Sequence, residues 1–342
     1  MKNKISFGEL DFMLLRNNTG NRYPSEDFTP AALAGEGIFR SPLIFVVSMA
    51  LSGIVSSMRV DTPVRIFTAG CRAAFLELNS DLFKIISLFS MTEDKMDVKI
   101  KKLRDFIEES ENIVFFGGAG VSTESGVPDF RSKDGLYNQH DVQFEKYRPE
   151  YLLSHSCLVD HPDVFFEFYR QKMDARNVQP NAAHYFLAEL EKRGKLKAVV
   201  TQNIDGLHQK AGSRNVYEIH GTTTRNYCAK CGKKYPADYI FESKERIPHC
   251  ACGGIVRCDV TLYEEQLPTD AVSKAIAAIS SADLLIIGGT SLSVYPAASY
   301  VEYFRGSHLV IINKEHLVYK LDPVNDLEIN QPIGKVFSEI TE

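Results

Sequence analysis

The sequence predicts an α/β fold built on a doubly wound parallel sheet, with a small inserted domain and a helical insertion. The main observation is a set of four short apolar runs, at residues 113–116, 197–201, 284–287 and 309–312. Each run has the length and the β-branched or aromatic content of a strand that is buried on both faces. Segments with helical character separate the runs, and strands that alternate with helices form parallel sheets.

A helix is predicted immediately before the first run. Residues 97–110 place apolar side chains at helical spacing on one face, namely Val98, Ile100, Leu103, Phe106 and Ile107. The chain changes character near Met91, because the preceding sequence is irregular and carries no assignable motif. We therefore expect residues 1–90 to form an extension of unknown structure. It is a regulatory extension, an interaction segment, or sequence upstream of a natural start at Met91, and SMTEDKMD (90–97) favours the last.

Charge and hydropathy argue against several classes of partner. The 342 residues carry a net charge of −5, so no global basic field draws the protein to nucleic acid or to an anionic membrane. The most apolar stretch, residues 42–58, is shorter than the roughly 20 residues that span a bilayer and contains four serines. We expect it to be a buried helix or a poorly ordered segment. The start of the chain lacks the pattern of a secretory leader, and we expect a cytoplasmic monomer.

Polar or glycine-rich sequences follow all four apolar runs. They are GGAGVSTESG (117–126), QNIDGLH (202–208), GGTS (288–291) and NKE (313–315). Ligands of open parallel sheets bind beyond the carboxyl ends of the strands, so these four endings should converge on one crevice.

The first ending has features of a diphosphate site. Gly118 and Gly120 let the backbone approach a diphosphate, and the following helix N-terminus should offer free N–H groups. Thr123 stands at the third glycine position of the usual G-x-G-x-x-G pattern. Asn313 and Glu315, after the last run, could hydrogen-bond ribose hydroxyls or adenine. Together these endings favour a Rossmann-like dinucleotide site.

Four cysteines lie close together between the second and third runs. Cys228 and Cys231 are separated by two residues, eighteen residues follow, and Cys250 and Cys252 are separated by one. Clustered cysteines without a secretory leader are typical of a metal site in a reducing compartment. Four thiolates complete a tetrahedral Zn²⁺ site and leave no position for water, so the zinc should be structural.

Several motifs resemble the sirtuins in sequence, order and separation. They are GAGVSTESGVPDFRS (118–132), TQNIDGLH (201–208), His220-Gly221, the four cysteines, GTSLSVYPAA (289–298) and INKE (312–315). The resemblance covers about residues 91–342, the length of a compact bacterial-type sirtuin. It implies NAD-dependent removal of acetyl or other uncharged acyl groups from protein lysines. Nicotinamide and O-acyl-ADP-ribose are the implied products, NAD and Zn²⁺ the cofactors, and acetyl-lysine proteins or peptides the partners.

The resemblance also implies a domain organisation. Residues 91–227 and 253–342 would form the Rossmann-like part of the catalytic domain. Residues 133–180, approximately, would be the helical insertion, and residues 228–252 the zinc module.

His220 is the implied catalytic base, because a ribose hydroxyl must lose a proton and histidine titrates near neutrality. Gly221 would leave room for a substrate lysine channel. The implied NAD contacts are Gly118, Ala119, Gly120, Thr123, Phe130 and Arg131 along the pocket, Gln202 at the nicotinamide ribose, Asn203, Ile204 and Asp205 at the carboxamide, and Gly289, Thr290, Ser291, Asn313, Lys314 and Glu315 at the adenosine half.

The resemblance places the substrate peptide as an added strand between residues 260–265 and 292–295. Val260 and Leu262 would flank the acyl-lysine or belong to the core. Sirtuins that remove acidic acyl groups carry a Tyr and an Arg three residues apart, whereas this chain has Tyr169 and Lys172. Lysine is not a planar fork and binds a carboxylate less specifically, so an uncharged acyl group is expected.

Two other functions remain open on the sequence. A mono-ADP-ribosyltransferase would use the same crevice but would pass ADP-ribose to a protein group. A zinc-ribbon interaction module on a nucleotide-sensing domain would bind NAD without releasing nicotinamide. The complete set of Gln202, Asn203, Asp205 and His220 argues against the second.

Overall fold

The computed structural model describes residues 98–130, 132, 135–138 and 143–341. The expected extension at 1–90, the apolar stretch at 42–58, the candidate start at Met91 and the predicted NAD contact Arg131 lie outside the described residues. Within the described ranges, no helix combines the length and the apolar character needed to cross a membrane.

The strands and helices alternate along most of the chain. The strands are β1 (Ile113–Gly117), β2 (Leu196–Thr201), β3 (Val216–Glu218), β4 (Gly221–Cys228), β5 (Lys234–Pro236), β6 (Val256–Val260), β7 (Leu284–Gly288), β8 (His308–Ile312) and β9 (Leu327–Ile329). The helices are α1 (98–109), α2 (Gly120–Thr123), α3 (Pro149–Leu152), α4 (His155–Asp160), α5 (Pro162–Lys172), α6 (Ala182–Lys192), α7 (Leu207–Ala211), α8 (Asp238–Phe241), α9 (Thr269–Ser281) and α10 (Ile333–Thr341). Residues Leu136–Asn138 and Ala297–Tyr303 form 3₁₀ helices.

The main sheet confirms the predicted fold class. Its six strands are parallel and lie in the order β3-β2-β1-β7-β8-β9, so the strand order reverses direction between β1 and β7. The four predicted apolar runs are β1, β2, β7 and β8, and β1 and β7 are buried along their whole length. The short edge strands β3 and β9 were not predicted.

The register brings the four central strand ends to the same level. Gly117 at the end of β1 pairs with Thr201 of β2 and with Gly288 of β7. Gly288 in turn pairs with Ile312, the last residue of β8. The four sequence signatures that follow these strands therefore begin side by side at one edge of the sheet.

Helices cover both faces of the main sheet. One face packs against α1, α6 and α10, and its core includes Leu103, Leu187 and Phe337. The other face packs against α9 and the 3₁₀ helix Ala297–Tyr303. The predicted apolar face of α1 is confirmed except at Val98, whose side chain is 68% exposed.

A smaller unit contains the three-stranded antiparallel sheet β5-β4-β6 and the helices α3 to α5. Both parts contribute to one hydrophobic core, in which Phe165 and Tyr169 of α5 lie with Val256 and Cys258 of β6. The expected helical insertion is present as α3 to α5. The sheet that carries the cysteines begins at Gly221 and ends at Val260, and the boundaries 228–252 for a zinc module stay a prediction.

Candidate nucleotide-binding site and cysteine cluster

The turns after β1 and β7 touch each other through their backbones. The N–H of Gly120 donates to the carbonyl oxygen of Gly289 at 2.8 Å. A Cβ on Gly120 would lie only 2.8 Å from the Cα of Gly289, and Gly289 itself has a φ of 57°. Both positions therefore require glycine, because a side chain at either one would collide with the backbone of the other turn.

The helix after β1 is shorter than the sequence predicts. α2 is a single turn, and the N–H groups of Gly120, Val121 and Ser122 all donate to backbone carbonyls at 2.8 to 3.0 Å. The expectation of free N–H groups at this helix N-terminus is therefore wrong for these three residues. Thr123 is exposed, and its hydroxyl donates to the carbonyl of Gly120 at 3.0 Å.

Gln202 connects the second strand ending to the first and the third. Its backbone N–H donates to the carbonyl of Gly117 at 2.9 Å. Its side-chain Nε2 donates to the Oγ1 of Thr290 at 3.1 Å. The ends of β1, β2 and β7 are thus linked by one residue of the QNIDGLH segment.

A partly buried polar network lies beside this link. The hydroxyl of Ser122 donates to Oδ2 of Asp205 at 2.7 Å and accepts from Nδ2 of Asn203 at 3.0 Å. The N–H of Leu207 donates to Oδ1 of Asp205 at 2.9 Å. Burial raises the pKa of Asp205, although these hydrogen bonds act in the opposite direction.

Ser122 was not among the predicted site residues. It is 1% exposed and holds Asn203 and Asp205 together, so it determines the shape of their pocket. Its position inside GAGVSTESG is the signal that could have identified it.

A cavity opens next to this network. Its walls combine the first two strand endings with the helical insertion, and they include Ala119, Ser122, Phe130, Lys172, Asn203, Ile204 and Asp205. The carbonyl of Ile204 accepts hydrogen bonds from the N–H and the hydroxyl of Thr223, at 2.8 and 3.0 Å. The cavity thus brings together the predicted pocket residue Phe130 and the predicted carboxamide pocket.

His220 is half-buried and lies outside that wall, next to Gln202. Its Nδ1 is 2.9 Å from the carbonyl oxygen of Gln202. The backbone carbonyl of His220 accepts from the N–H of Thr261 at 2.9 Å, which ties the histidine to the end of β6.

The reason for Gly221 differs from the one expected. Gly221 has a φ of 75°, and a Cβ there would lie 2.0 Å from the carbonyl oxygen of Asp259. The backbone of β6 therefore occupies the space next to Gly221. The prediction that this glycine leaves room for a substrate channel is wrong.

The predicted adenosine contacts lie further along the same edge. The N–H of Gly289 donates to the carbonyl of Ile312 at 3.1 Å, which joins the third and fourth endings. Asn313 donates through Nδ2 to the carbonyl of Glu315 at 2.9 Å. The side chains of Ser291, Lys314 and Glu315 are exposed at this edge.

The segment after β6 packs into the core of the smaller unit. Val260 is 8% exposed and Leu262 is 3% exposed, and both belong to the cluster that contains α5. Tyr295, in the other segment that is expected to pair with the peptide, is 72% exposed. Val260 and Leu262 are therefore core residues, whatever contact they also make with a ligand.

The four clustered cysteines form a compact group of sulfur atoms. All four Sγ atoms lie within 4.8 Å of one another, with 3.5 Å between Cys228 and Cys252 and 3.6 Å between Cys231 and Cys250. A tetrahedron with Zn–S distances of about 2.3 Å has edges of about 3.8 Å. The donor set and its spacing fit a structural Zn²⁺ site with a closed coordination sphere.

The fold and these sites define a class of protein, a dinucleotide-binding α/β protein with an inserted four-cysteine metal module. A sequence model of the Sir2 family matches residues 118–296. The NAD-dependent protein deacetylase of Clostridium acetobutylicum is 54% identical over 243 residues, which cover 71% of this chain and 98% of that protein. The NAD-dependent protein deacetylase of Clostridium perfringens is 55% identical over 250 residues, 72% of this chain and 100% of that protein. The chain belongs to the Sir2 family.

Solved structures agree with this assignment. A Sir2 structure with a deacetylated p53 peptide and 3′-O-acetyl ADP-ribose has a TM-score of 0.63 and 35% identity, and it covers 71% of this chain and 97% of that chain. A structure of Sir2 bound to an acetylated peptide has a TM-score of 0.61 and 34% identity, and the match again covers 71% of this chain and 97% of that chain. The expected resemblance to the sirtuins is therefore confirmed.

Proposed function

We propose that this chain removes acetyl groups from protein lysines in an NAD-dependent reaction, with His220 as the general base and O-acetyl-ADP-ribose as a product. The observation that carries the proposal is the contact between His220 Nδ1 and the carbonyl oxygen of Gln202, at 2.9 Å. The contact supports the proposal because Gln202 follows β2 directly and precedes Asn203, a residue of the proposed carboxamide pocket.

The same contact indicates which nitrogen of the His220 imidazole carries the proton. A carbonyl oxygen only accepts, so Nδ1 must carry the proton. In the neutral ring Nε2 is then the basic nitrogen, and it would take the proton from a ribose hydroxyl. The carbonyl would also stabilise the positive charge that the ring gains in that step.

Asn203 and Asp205 would hold the carboxamide of nicotinamide. The Ser122 hydroxyl, which is itself buried, fixes both side chains at the wall of the cavity. The raised pKa of Asp205 reflects the cost of a buried carboxylate, and a carboxamide N–H would offset that cost by donating to it. Ile204 adds an apolar wall to the same cavity.

NAD, when bound, would supply the leaving nicotinamide and the ribose that accepts the acyl group. The residues of the chain would bind and orient it along the edge formed by the four strand endings. The proposed contacts are Gly118, Ala119, Gly120, Thr123, Phe130, Arg131, Gln202, Gly289, Thr290, Ser291, Asn313, Lys314 and Glu315. The strands β1, β2, β7 and β8 end in register with one another. This supports the placement, because the four sequence motifs that follow these strands all begin at one edge of the sheet.

The substrate peptide would lie along residues 260–265 and pair through its backbone, a mode that accepts many sequences. Val260 and Leu262, which belong to the core, would contact the acyl-lysine. Zn²⁺ held by the four cysteines would stabilise the sheet β5-β4-β6, and β4 begins directly after His220. The zinc would therefore support the site without taking part in the reaction.

One experiment separates this function from its two alternatives. The full chain is incubated with NAD and a panel of acyl-lysine peptides, and nicotinamide release, peptide mass and the ADP-ribose product are measured. Deacetylated peptide with an equal amount of acetyl-ADP-ribose is the expected result. Labelled protein in place of acetyl-ADP-ribose would indicate an ADP-ribosyltransferase. NAD binding without nicotinamide release would indicate a nucleotide-sensing interaction module.

A further inference from the structure

Tyr263 lies in the proposed peptide-binding segment and has a firmly held backbone. Its N–H donates to the carbonyl of Leu153, and its carbonyl accepts from the N–H of His155, both at 3.0 Å. These two bonds tie the residue to the start of α4. The Tyr263 side chain, 38% exposed, therefore projects from a fixed point.

The two residues after Tyr263 strengthen this attachment. The carboxylate of Glu264 accepts from the N–H and the hydroxyl of Ser156, at 2.9 and 2.7 Å. Glu264 has a φ of 75°, a conformation that a non-glycine residue adopts only when its surroundings hold it there. The carboxylate of Glu265 accepts from Arg257 at 2.8 Å and from the N–H of Leu262 at 3.0 Å.

Tyr137 follows Leu136, a residue of the cavity wall, and is joined to Phe130. The N–H of Tyr137 donates to the carbonyl of Phe130 at 3.0 Å, and their rings are 5.5 Å apart. The neighbouring N–H of Leu136 donates to the carbonyl of Asp129 at 2.7 Å. Phe130 lines the cavity. A shift of Tyr137 would therefore move Phe130, which faces the proposed cofactor.

The hydroxyl groups of Tyr137 and Tyr263 form a hydrogen bond of 3.0 Å across 126 positions of sequence. We propose that this bond is a coupling element: it positions the Phe130 wall relative to the peptide-binding segment, so that NAD and the acetylated peptide each favour binding of the other. Both tyrosines act as positioning residues. The inference rests on the proposed function, because it assigns the cofactor to one side of the bond and the peptide to the other.

A double-mutant cycle tests the coupling. Dissociation constants of carba-NAD, an analogue that cannot release nicotinamide, are measured by calorimetry with and without a saturating acetyl-lysine peptide. The proteins are the wild type, Tyr137→Phe, Tyr263→Phe and the double variant. The ratio of the two constants measures the coupling, and loss of one net hydrogen bond should reduce that ratio by about threefold to tenfold.

A specific pattern is expected from the four proteins. Each single variant should lose the coupling and the double variant should lose no more, while the affinity for carba-NAD alone stays within about twofold. Tyr185→Phe, which removes a hydroxyl from a tyrosine that is 52% exposed on α6, is the matched control and should keep the full ratio. Unchanged ratios, or losses that add in the double variant, would overturn the proposal.

Steady-state measurements separate this inference from the proposed function. If the wild type deacetylates the peptide but the tyrosine variants keep their KM values for NAD and peptide, only the coupling is wrong. If the wild type releases no nicotinamide with any acyl peptide, the proposed function fails and the coupling fails with it. A higher KM for each ligand at unchanged kcat and unchanged thermal stability supports the coupling, since a merely structural role would lower the stability.

Discussion

The rings of His184 and His208 lie next to each other in the core, with their centroids 4.8 Å apart. Both side chains are almost fully buried, at 0% and 1% exposure. His184 closes a capping box with Asn181 at the start of α6, and the Asn181 side chain donates to the carbonyl of Val121 at 2.7 Å. His208 follows directly on the proposed carboxamide pocket, so the pair connects that pocket to the turn after β1.

This pair should make the protein sensitive to acid. Burial lowers the pKa of His184 to about 4, and burial together with the neighbouring His184 lowers that of His208 to about 3. The unfolded chain therefore binds more protons than the folded chain between these values and the ordinary pKa of about 6.5. Stability is fully present above pH 6.5 and is lost as the pH falls. At pH 5.5 each histidine should lower the free energy of unfolding by about 1.4 kcal/mol.

Urea unfolding at a series of pH values from 7.5 to 5.5 checks this expectation. His208→Gln and His184→Gln each remove one titrating group, so each variant should show a shallower fall of stability with pH than the wild type. The slope is compared, and not the absolute stability, because both substitutions alter the core. Zinc content is followed at each pH to exclude loss of metal. Equal slopes in the wild type and both variants would contradict the assignment of the acid sensitivity to this pair.

The central sheet could be predicted from sequence because its strands carry their own signal. β1, β2, β7 and β8 are apolar runs with glycine or polar residues directly after them, and burial on both faces requires that composition. β3 and β9 have three residues each, with part of their side chains exposed. Segments this short and mixed give no pattern that differs from a loop.

Parts of the site depend on contacts that no local pattern records. Gly221 is required by the carbonyl of Asp259 on a neighbouring strand. Ser122 matters because Asn203 and Asp205, in the loop after β2, form hydrogen bonds with it. The single turn of α2 likewise uses its N–H groups within the chain. Residue types and order were visible in the sequence, whereas these reasons appear only when the strands are adjacent.

Replacing His220 should remove deacetylation and leave the fold intact. A general base contributes about 10²- to 10⁴-fold, so His220→Ala should reduce kcat by at least about 100-fold. In the proposed reaction the ribose hydroxyl loses its proton only after nicotinamide has left, so exchange of labelled nicotinamide into NAD should persist when acetyl-lysine peptide is present. Circular dichroism and zinc content should match the wild type, as should the activity of His161→Ala, which replaces an exposed histidine outside the cysteine cluster. An active His220→Ala protein would rule out the proposed base.

Removal of zinc should lower activity indirectly. Without the metal, the Zn–S bonds that hold the cysteine-bearing loops together are lost. β4 extends from Gly221, next to His220, to the ligand Cys228, so disorder in the metal site would reach the base through this strand. Cys231→Ala should lose zinc and at least about tenfold in kcat/KM, whereas Cys157→Ala, outside the cluster, should keep its zinc. Full activity in a protein shown to be free of zinc would contradict this.

A chain that begins at Met91 should keep its activity. The family match spans residues 118–296, and the relatives match over nearly their whole length with about 70% of this chain. We expect kcat/KM for NAD and an acetyl-lysine peptide within about twofold of the full chain. Side-by-side kinetics and thermal unfolding of the two proteins measure this, and a large loss on truncation would show that residues 1–90 contribute to function.

The acyl preference should favour acetyl over succinyl groups. Tyr169 is fully buried between the rings of Phe165 and Phe241, at 5.8 and 5.3 Å, so its phenol ring belongs to the core. Lys172, one turn further along α5, lines the cavity. Among the described residues that line this cavity, there is no Tyr and Arg pair to hold a carboxylate. We therefore expect kcat/KM to be at least about tenfold higher for acetyl-lysine than for succinyl-lysine.

Lys172→Arg tests the physical reason for this preference. A guanidinium can form two parallel hydrogen bonds to a carboxylate, whereas an ammonium acts as a point charge. The substitution should raise kcat/KM for succinyl-lysine relative to acetyl-lysine by about threefold or more. Lys274→Arg on the exposed side of α9 is the matched control and should leave the ratio unchanged. A wild type that prefers succinyl-lysine would show that Lys172 already suffices to bind the carboxylate, and that the planar fork is dispensable in this cavity.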